Sequence, residues 1–406
     1  MDISLQLSIK FINELIKIVS PALVKHMERT AIVAMELCDY LDLSKEQQKN
    51  VYIAALLHDI GELIDIRTRE YGDFHSNNEL HQRYTYNMLN GLDIFEQTKA
   101  IVYTRRAGYE DKHQQEKAIL SFCDRFEYDL RLYPENLASC SEDICNGFAE
   151  RYSDYPAEFY DFLNTVSQRE YFWFRLQTDN IPRVVNVISP IKVIHLDIDD
   201  FQQICTLIAR IVDTHSGFTA AHSMTVGLVA RELAYYSGMT SYDQQRIEIA
   251  GYLHDIGKLY VPINLLEKKS ALSRKEYSML KEHSYKTAEI LSVVAELGEI
   301  AAWAANHHER LDGSGYPYHL NRIYLDIPSR IVAVADFFTA LTEVRPYRGP
   351  LSIQDALDIM DKAVEDGSID GEIVALLHQH KEAFYTIVNQ AREGGRALVR
   401  DVASIP

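Results

Sequence analysis

The sequence has 406 residues, and its 41 Lys and Arg against 59 Asp and Glu give a formal net charge of −18. This length predicts two or three domains, and a content of 47% hydrophobic and 25% charged residues is typical of folded globular proteins rather than disordered or fibrous chains. The acidic balance disfavours binding to DNA, to RNA polymers or to anionic membranes, because each requires Lys and Arg to neutralise phosphate.

The chain contains no apolar run long enough to span a bilayer, and it begins Met-Asp-Ile-Ser without the basic leader of a signal peptide. Its five cysteines are an odd number and form no CxxC pair, which argues against a disulfide framework and against a thiolate zinc site. We therefore expect a cytoplasmic protein.

Apolar residues recur at helical spacing along most of the chain and predict an all-α protein. The clearest helical stretches are Leu23–Tyr40, Gln48–Leu57, Phe201–Ser237, Arg246–Leu253, Tyr277–Val294 and Ile373–Ala391. Arg183–Asp199, rich in Val and Ile around prolines, is predicted to be a linker or a small strand. The expected organisation is a helical domain over residues 1–182, a linker over 183–199 and a second helical domain over 200–406.

The two halves share a repeated pattern of polar residues. In the first half His26 is followed 32 residues later by the pair His58-Asp59, and in the second half His222 is followed after the same interval by His254-Asp255. The residues around each pair also agree, since AALLHDIG in one copy matches AGYLHDIG in the other. This similarity indicates an internal duplication.

The correspondence continues downstream, where a further histidine in each copy is followed 24 residues later by a pair of basic residues and then by an aspartate. The matched positions are His81 and His283, Arg105-Arg106 and His307-His308, and Asp124 and Asp336. The second copy therefore keeps two histidines that the first copy lacks.

Five imidazoles and two carboxylates would be costly in a helical core unless a cation organised them, so the second copy predicts a metal centre. Asp255 has two oxygens and is expected to bridge two ions. We assign His222, His254, Asp255 and Asp336 to one ion, and Asp255, His283, His307 and His308 to the other. Mixed nitrogen and oxygen ligands favour iron or manganese over a structural zinc site. Two such ions activate water and stabilise charge on a phosphodiester, which predicts hydrolysis.

The second copy resembles the HD-GYP family of bacterial cyclic-dinucleotide phosphodiesterases, because both the HDxGK and the HHExxDGxGYP elements are complete at residues 254–258 and 307–317. The resemblance covers about residues 200–395. It implies a helical domain whose metal centre opens a cyclic dinucleotide, c-di-GMP in most members, to a linear 5′-phosphorylated dinucleotide. The tandem arrangement is similar to the subgroup that prefers 3′,3′-cGAMP, so c-di-GMP and 3′,3′-cGAMP are both kept as candidate substrates.

The resemblance also implies roles for individual residues. The seven residues above become the metal ligands, with Asp255 and Lys258 as the catalytic pair and Lys258 contacting the scissile phosphate. Gly315, Tyr316 and Pro317 would line the substrate pocket, Arg345 and Arg348 would hold phosphate or base, and Glu309 and Asp312 would orient ligands or Lys258. Members with a third metal carry a glutamate where this chain has Phe218, so a binuclear centre is expected.

The first copy resembles a plain HD domain, with His26, His58, Asp59 and Asp124 as a candidate one-metal site. Glu62 replaces the phosphate-binding lysine, and arginines replace the histidine pair, which argues against the same reaction there. Three interpretations stay open: a silent regulatory or dimerising module that would give a homodimer, a ligand sensor, or an independent phosphohydrolase.

Two other functions stay open for the whole chain. One is an HD-type phosphohydrolase that acts on another nucleotide phosphate ester, which the GYP loop disfavours. The other is a sensor that binds the cyclic dinucleotide without cleaving it, which the complete ligand set of the second copy disfavours.

Overall fold

The computed structural model describes residues 3–66, 78–103, 112–133, 136–216, 221–343 and 349–399. Within these residues the predicted all-α fold is confirmed, and the strands β1 (Ile3–Ser4) and β2 (His195–Leu196) pair as a small two-stranded sheet. None of the described helices combines the length and the hydropathy that a bilayer crossing requires.

The chain divides into two compact units. The first unit comprises Ser4–Glu62 and the described residues of 78–195, and the second comprises the described residues from Leu196 onward together with Ile3 and residues 63–66. The helices up to residue 188 are α1 (Leu5–Val19), α2 (Pro21–Tyr40), α3 (Lys45–Leu57), α4 (Glu62–Ile66), α5 (Asn78–Leu89), α6 (Glu96–Val102), α7 (Gln114–Asp129), α8 (Ser141–Arg151), α9 (Ala157–Ser167), α10 (Glu170–Gln177) and α11 (Ile181–Ile188).

The second unit is built from ten further helices among its described residues. They are α12 (Ile198–Ser216), α13 (His222–Tyr236), α14 (Ser241–Leu253), α15 (Ile263–Leu266), α16 (Arg274–Leu291), α17 (Glu299–Ala305), α18 (Ile327–Thr342), α19 (Ile353–Glu365), α20 (Gly371–Gln379) and α21 (Lys381–Val399). Short 3-10 turns at Ile256–Tyr260 and Asn306–His308 connect several of them.

Part of the predicted linker is helical, so the prediction of extended chain over residues 183–188 is wrong. These residues belong to α11, which buries Ile181 and Val185 one turn apart. Pro182 occupies the first turn, where a helix tolerates proline because the missing N–H has no intrahelical partner. Only the short strand β2 matches the alternative that the sequence offered for this segment.

Two of the predicted helical stretches are each divided in the structure. Phe201–Ser237 contains the end of α12 at Ser216 and the start of α13 at His222, so a new helix begins at the first predicted ligand of the second copy. Ile373–Ala391 contains the boundary between α20 and α21, where His380 follows the last residue of α20.

An aromatic cluster supports α7, the helix that carries Asp124. Phe122 and Phe126 on this helix are fully buried, and the ring of Phe122 lies 5.2 Å from Phe148 and 5.1 Å from Phe159. The T-shaped arrangement of these rings is the geometry that aromatic pairs prefer in a core. The cluster fixes the face of α7 opposite to its polar residues.

Two glycines allow α13 and α14 to pack closely. A Cβ atom at Gly251 would overlap the backbone of Gly227, and a Cβ atom at Gly227 would overlap the ring of Tyr252. Since α13 begins at His222 and α14 ends immediately before His254, this antiparallel contact brings the two histidines to the same end of the helix pair.

Glu28 is a buried acid in the middle of α2. It lines a small cavity in the first unit together with Asn13 and Tyr52, and it is 7% exposed. Burial raises the pKa of Glu28 to about 7, while Lys17 lowers it and Glu14 raises it to smaller extents. Because the pKa in the folded state exceeds the ordinary value of 4.5, folding favours the protonated carboxyl.

We predict that Glu28 costs stability as the pH rises. The contribution of protonated Glu28 to the free energy of unfolding is fully present below about pH 4.5. It is lost as the pH rises to about 7. Glu28→Gln should therefore gain about 1 to 3 kcal/mol over wild type above pH 7, and the gain should shrink towards pH 4.5. Chemical denaturation at several pH values measures this difference. Glu150→Gln, at an exposed position of α8, is the matched control, and an equal pH-dependent gain there would contradict the assignment.

Candidate metal centre

The structure brings all seven predicted ligand residues of the second copy into one buried cluster. Five separate elements supply them, and each residue lies at or near the end of its element or on a buried face. His222 begins α13, His254 and Asp255 follow α14, His283 lies on α16, His307 and His308 close the turn after α17, and Asp336 lies on α18.

The two carboxylate oxygens of Asp255 face different pairs of histidines. Its Oδ2 lies 3.5 Å from Nε2 of His222 and 3.1 Å from Nε2 of His254. Its Oδ1 lies 3.5 Å from Nε2 of His283 and 3.8 Å from Nε2 of His307. This placement supports the expectation that one carboxylate would serve two ions.

Asp336 makes a second connection across the cluster. Its Oδ1 lies 3.4 Å from Nε2 of His222 and 3.8 Å from Nε2 of His254, and its Oδ2 lies 3.8 Å from Nδ1 of His308. The side chain of His308 is 24% exposed, whereas the other histidines are almost fully buried. The cluster therefore opens to solvent on the side of His308.

Three of the histidines are oriented by their own backbone. His254, His283 and His307 each donate from Nδ1 to the carbonyl oxygen three residues earlier, at 2.7, 2.5 and 2.7 Å. A neutral imidazole with a proton on Nδ1 carries a lone pair on Nε2. These contacts therefore aim three ligand-competent nitrogens into the cluster.

His222 is oriented by a carboxylate instead. Its Nδ1 donates to Oε2 of Glu343 at 2.8 Å, and Glu343 is a buried residue immediately after α18. Sequence reasoning missed Glu343, because a glutamate seven residues after Asp336 has no partner that spacing alone would reveal. A carboxylate behind a histidine fixes the ring and increases its strength as a metal ligand.

Burial keeps the imidazoles of His283 and His307 neutral, whereas nearby positive charge keeps the carboxylate of Asp255 ionised. Burial lowers the pKa of His283 to about 4 and the pKa of His307 to about 3. Burial alone would raise the pKa of Asp255, but the positive charge around it, including that of Lys258, outweighs burial and holds that pKa well below its usual range.

A divalent cation fits this donor set. Nε2 of His254 and Oδ1 of Asp255 are buried and have no hydrogen-bond partner among the described residues. The Nε2 atoms of His283 and His307 lie 3.2 Å apart, although each ring already carries its proton on Nδ1. Lone pairs that face one another without a donor are costly in a buried site unless a cation accepts them.

Gly257 and Thr287 form a backbone lock that holds His283 against the pair His254-Asp255. A Cβ atom at Gly257 would overlap the carbonyl oxygen of His283. Thr287, one turn after His283, accepts from N–H of Gly257 at 3.1 Å and donates to the carbonyl oxygen of His254 at 2.9 Å. The motif therefore needs glycine at position 257, because no larger residue allows α16 to approach so closely.

Lys258 and Tyr316 lie at the open side of the cluster. The ammonium group of Lys258 hydrogen-bonds to Oδ2 of Asp255, and its side chain is 13% exposed. Tyr316 donates its N–H to the carbonyl oxygen of His308 at 3.2 Å, and its ring lies 4.8 Å from the ring of His308. Gly315 is buried beside the backbone of Glu309, where a Cβ atom would not fit, and the following Pro317 has a cis peptide bond.

Glu309 and Asp312 make their hydrogen bonds to the loop, and their expected role in orienting ligands or Lys258 stays a prediction. The carboxylate of Glu309 accepts from the N–H groups of Tyr318 at 2.7 Å and Leu320 at 2.9 Å. Asp312 is exposed and accepts from N–H and Oγ of Ser314. Both side chains therefore shape the loop that presents Tyr316.

Several predicted residues lie outside the described residues. They are Arg345 and Arg348, expected to hold phosphate or base; Phe218, expected to stand at the position of a third metal ligand; and Arg105 and Arg106, which replace the histidine pair in the first copy.

The first copy forms a smaller cluster from its four predicted ligand residues. Nε2 of His26 lies 3.1 Å from Oδ1 of Asp124 and 3.5 Å from Oδ2 of Asp59. Nε2 of His58 lies 3.4 Å from Oδ2 of Asp59 and 3.2 Å from Nε2 of His26. The two histidines and two aspartates present ligand atoms close enough together to hold one metal ion.

Carboxylates surround the two histidines of the first cluster. Although burial works against it, Asp124 and Asp59 raise the pKa of His26 well above its usual value, with a contribution from Glu127. Asp59 and Asp124 likewise raise the pKa of His58. The carboxylates of the first cluster therefore favour the imidazolium form of His26 and His58.

The first domain repeats the glycine–threonine lock of the second but has a carboxylate at the position of Lys258. Thr85 accepts from N–H of Gly61 at 3.0 Å and donates to the carbonyl oxygen of His58 at 2.8 Å, as Thr287 does in the second copy. Nδ1 of His81 lies 3.3 Å from Oε1 of Glu62, which occupies the sequence position of Lys258. His81, the counterpart of His283, therefore faces a carboxylate in the first domain.

Both halves of the chain match models of a known protein family. A family model described as HD domain matches residues 206–373, and another model of the same description matches residues 23–129. The chain carries two HD domains. The internal duplication predicted from the sequence corresponds to these two domains.

Relatives of the tandem chain are named as phosphodiesterases. The 3′3′-cGAMP-specific phosphodiesterase 1 of Vibrio cholerae is 28% identical over 388 residues, which cover 90% of this chain and 89% of the relative. The 3′3′-cGAMP-specific phosphodiesterase 3 of the same organism is 37% identical over 49% of this chain and 43% of the relative. A cyclic di-GMP phosphodiesterase of Thermotoga maritima is 38% identical over 34% of this chain and 38% of the relative. The resemblance to the HD-GYP family is confirmed by these relatives.

A solved structure shares the fold over almost the whole chain. The crystal structure of a cyclic GMP-AMP specific phosphodiesterase of V. cholerae, V-cGAP3, matches with a TM-score of 0.55 at 20% identity. The match covers 96% of this chain and 98% of that chain. At this identity the likeness concerns the fold alone.

We predict that Glu343 strengthens metal binding at the second cluster. Glu343→Ala should weaken that binding roughly 10- to 100-fold, because His222 would lose the carboxylate that orients it. Glu343→Gln should lose less, since its amide oxygen can still accept the hydrogen bond. Chelator competition followed by elemental analysis, in a His58→Ala/Asp59→Ala background, measures the affinity. Glu127→Ala in the first domain is the control, and unchanged affinity in Glu343→Ala would refute the prediction.

Proposed function

We propose that this chain is a metal-dependent phosphodiesterase that hydrolyses a cyclic dinucleotide to a linear 5′-phosphorylated dinucleotide. The observation that carries the proposal is the division of Asp255 between two pairs of histidines, with one oxygen towards His222 and His254 and the other towards His283 and His307. Such a donor set suits two divalent ions that act together on one phosphate diester.

The proposed first substrate is 3′,3′-cGAMP, with c-di-GMP as the second candidate. The relative that matches this chain over 90% of its length is named for 3′3′-cGAMP, whereas relatives named for cyclic di-GMP match about a third of it. The proposed setting is the cytoplasm, since the five cysteines are free and four of them are buried. A homodimer, without nucleic-acid or membrane partners, completes the proposal.

The metal ions in this proposal are iron or manganese, held by the two ligand sets that share Asp255. When bound, two such ions supply Lewis acidity and activate water for attack on phosphorus. The chain's own residues prepare the site. Glu309 fixes the loop that carries Tyr316, and Lys258, beside Asp255, places a positive charge where the scissile phosphate would approach.

We assign the first HD domain a regulatory or dimerising role. Glu62 offers a negative charge where the second domain has Lys258, and it already faces His81. A carboxylate at that position would repel a phosphate ester, so the same reaction is disfavoured there. The proposed domain boundaries remain 1–182 and 200–406, with the residues between them as the connection.

Product analysis tests the proposed activity. The full chain, purified without oxygen and loaded with Fe(II) or Mn(II), is incubated in parallel with 3′,3′-cGAMP and c-di-GMP. We expect a linear dinucleotide as the main initial product, with the faster initial rate on 3′,3′-cGAMP. If the second cleavage needs a third metal, the binuclear centre expected from Phe218 should stop largely at the linear dinucleotide, and mostly mononucleotide under initial-rate conditions would contradict this. No product from either ring, with about two ions per chain present, would favour another phosphate ester as substrate.

Paired substitutions in the two domains test which cluster does the chemistry. His254→Ala/Asp255→Ala should abolish hydrolysis and lower the metal content, because it removes ligands from both proposed ions. His58→Ala/Asp59→Ala should leave the metal of the second cluster in place. Elemental analysis and turnover are measured on both variants, and substantial turnover in the first double variant would overturn the assignment.

A further inference from the structure

We propose that Lys281 binds the second, non-scissile phosphate of the cyclic dinucleotide. This inference rests on the proposed function and deepens it, because it assigns a substrate contact to a residue that no sequence motif marked. Lys281 stands out by its position on α16, its contacts with two tyrosine rings and the absence, among the described residues, of an acidic partner at ion-pair distance.

Helix α16 has two faces with different roles. Its buried face carries His283 and Thr287, which belong to the metal centre and its lock. Its outer face carries Tyr277, Lys281 and Tyr285 at intervals of four residues, so these three side chains follow one another along a single stripe. Tyr277 and Tyr285 are 47% and 50% exposed. An accessible stripe of this composition therefore runs beside the buried ligand His283.

Lys281 lies where this stripe meets the GYP loop. Its ammonium nitrogen is 5.3 Å from the centre of the Tyr277 ring and 5.6 Å from the centre of the Tyr316 ring. The Tyr316 ring in turn lies 4.8 Å from the ring of His308 and 6.4 Å from that of His283. The ammonium group is thus one aromatic ring away from the open side of the metal centre.

The charge of Lys281 has no carboxylate at ion-pair distance among the described residues. Other lysines nearby are paired: Lys258 with Asp255, and Lys286 with Glu289 at 2.7 Å. Lys281 instead makes cation–π contacts, which hold an ammonium group in place without neutralising it. In a chain with a net charge of −18, an uncompensated cation beside the candidate site is suited to an anionic ligand.

A cyclic dinucleotide has two phosphate groups in one ring. When one of them meets the metal centre, the other stays anionic and must find a cation or remain in water. An ammonium group is a compact point charge that binds phosphate without demanding one orientation. Lys281 satisfies this requirement from the rim, and Tyr277 and Tyr316 position it there.

The experiment compares two lysines of the same helix on two kinds of substrate. Lys281→Gln, Lys281→Arg and Lys286→Gln are made in the full, metal-loaded chain, and Lys286 is a matched control because it too lies over a tyrosine ring, 5.1 Å from the centre of Tyr260. The substrates are 3′,3′-cGAMP and bis(p-nitrophenyl) phosphate, a diester with a single phosphate. Calorimetry with 3′,3′-cGAMP measures equilibrium binding of each variant.

We expect Lys281→Gln to raise KM and Kd for 3′,3′-cGAMP about tenfold or more, with kcat within about twofold of wild type. Lys281→Arg should restore most of the affinity, and Lys286→Gln should behave as wild type. Rates on bis(p-nitrophenyl) phosphate and metal content should be equal in all variants, because neither depends on a second phosphate.

Three results would overturn the inference: unchanged KM and Kd in Lys281→Gln, an equal loss on bis(p-nitrophenyl) phosphate, or an equal effect of Lys286→Gln. Failure of the proposed function is recognised separately. If wild type binds 3′,3′-cGAMP without turnover, the activity is refuted but the Kd values still judge Lys281. If wild type does not bind the ring at all, both proposals are refuted.

Discussion

The close approach of α16 to the turn after α14 is the constraint on which the second cluster depends. Gly257 lies directly against the carbonyl oxygen of His283, and the hydroxyl of Thr287 joins the N–H of Gly257 to the carbonyl oxygen of His254. These contacts fix the distance between two elements that are far apart in sequence. Only at this distance can Asp255 face His222 and His283 at the same time. A helix held even slightly further away would separate the two halves of the donor set.

The sequence predicted the parts of this arrangement that consist of rare residue types at short intervals. Histidines and aspartates are uncommon in helical cores, so the pairs at 58–59 and 254–255 stand out, and their equal distances from His26 and His222 indicate the duplication. The all-α fold followed from apolar periodicity in the same way.

What the sequence did not predict depends on three-dimensional neighbours. Glu343 and Thr287 carry no distinguishing signal in the sequence. Only when the helices are packed does Glu343 orient His222 and Thr287 bridge two backbone groups. The helix α11 was missed for a different reason, because Pro182 indicates a break unless it falls in the first turn. The loop contacts of Glu309 were not predicted because its partners, the N–H groups of the loop, carry no side-chain signal.

The two HD domains share a backbone lock but differ in electrostatic character. Thr85 and Gly61 reproduce the contacts of Thr287 and Gly257, so the local fold of the duplicated unit is retained. In the first domain Glu62 faces His81, whereas in the second the matching position is Lys258, which lies beside Asp255. The contacts that maintain the local fold are therefore the same in both domains, while the charges that determine the chemistry differ.

The carboxylates behind the first histidine of each cluster have a consequence for how such chains are compared. Glu127 bonds to Nδ1 of His26 from a position three residues after Asp124, whereas Glu343 bonds to Nδ1 of His222 from a position seven residues after Asp336. An alignment of the two halves by their aspartates places these glutamates in different columns. Each would then be scored as a variable position, although both perform the same task. Functional equivalence in duplicated helical domains is therefore better traced by which atom a side chain reaches than by the column in which it stands.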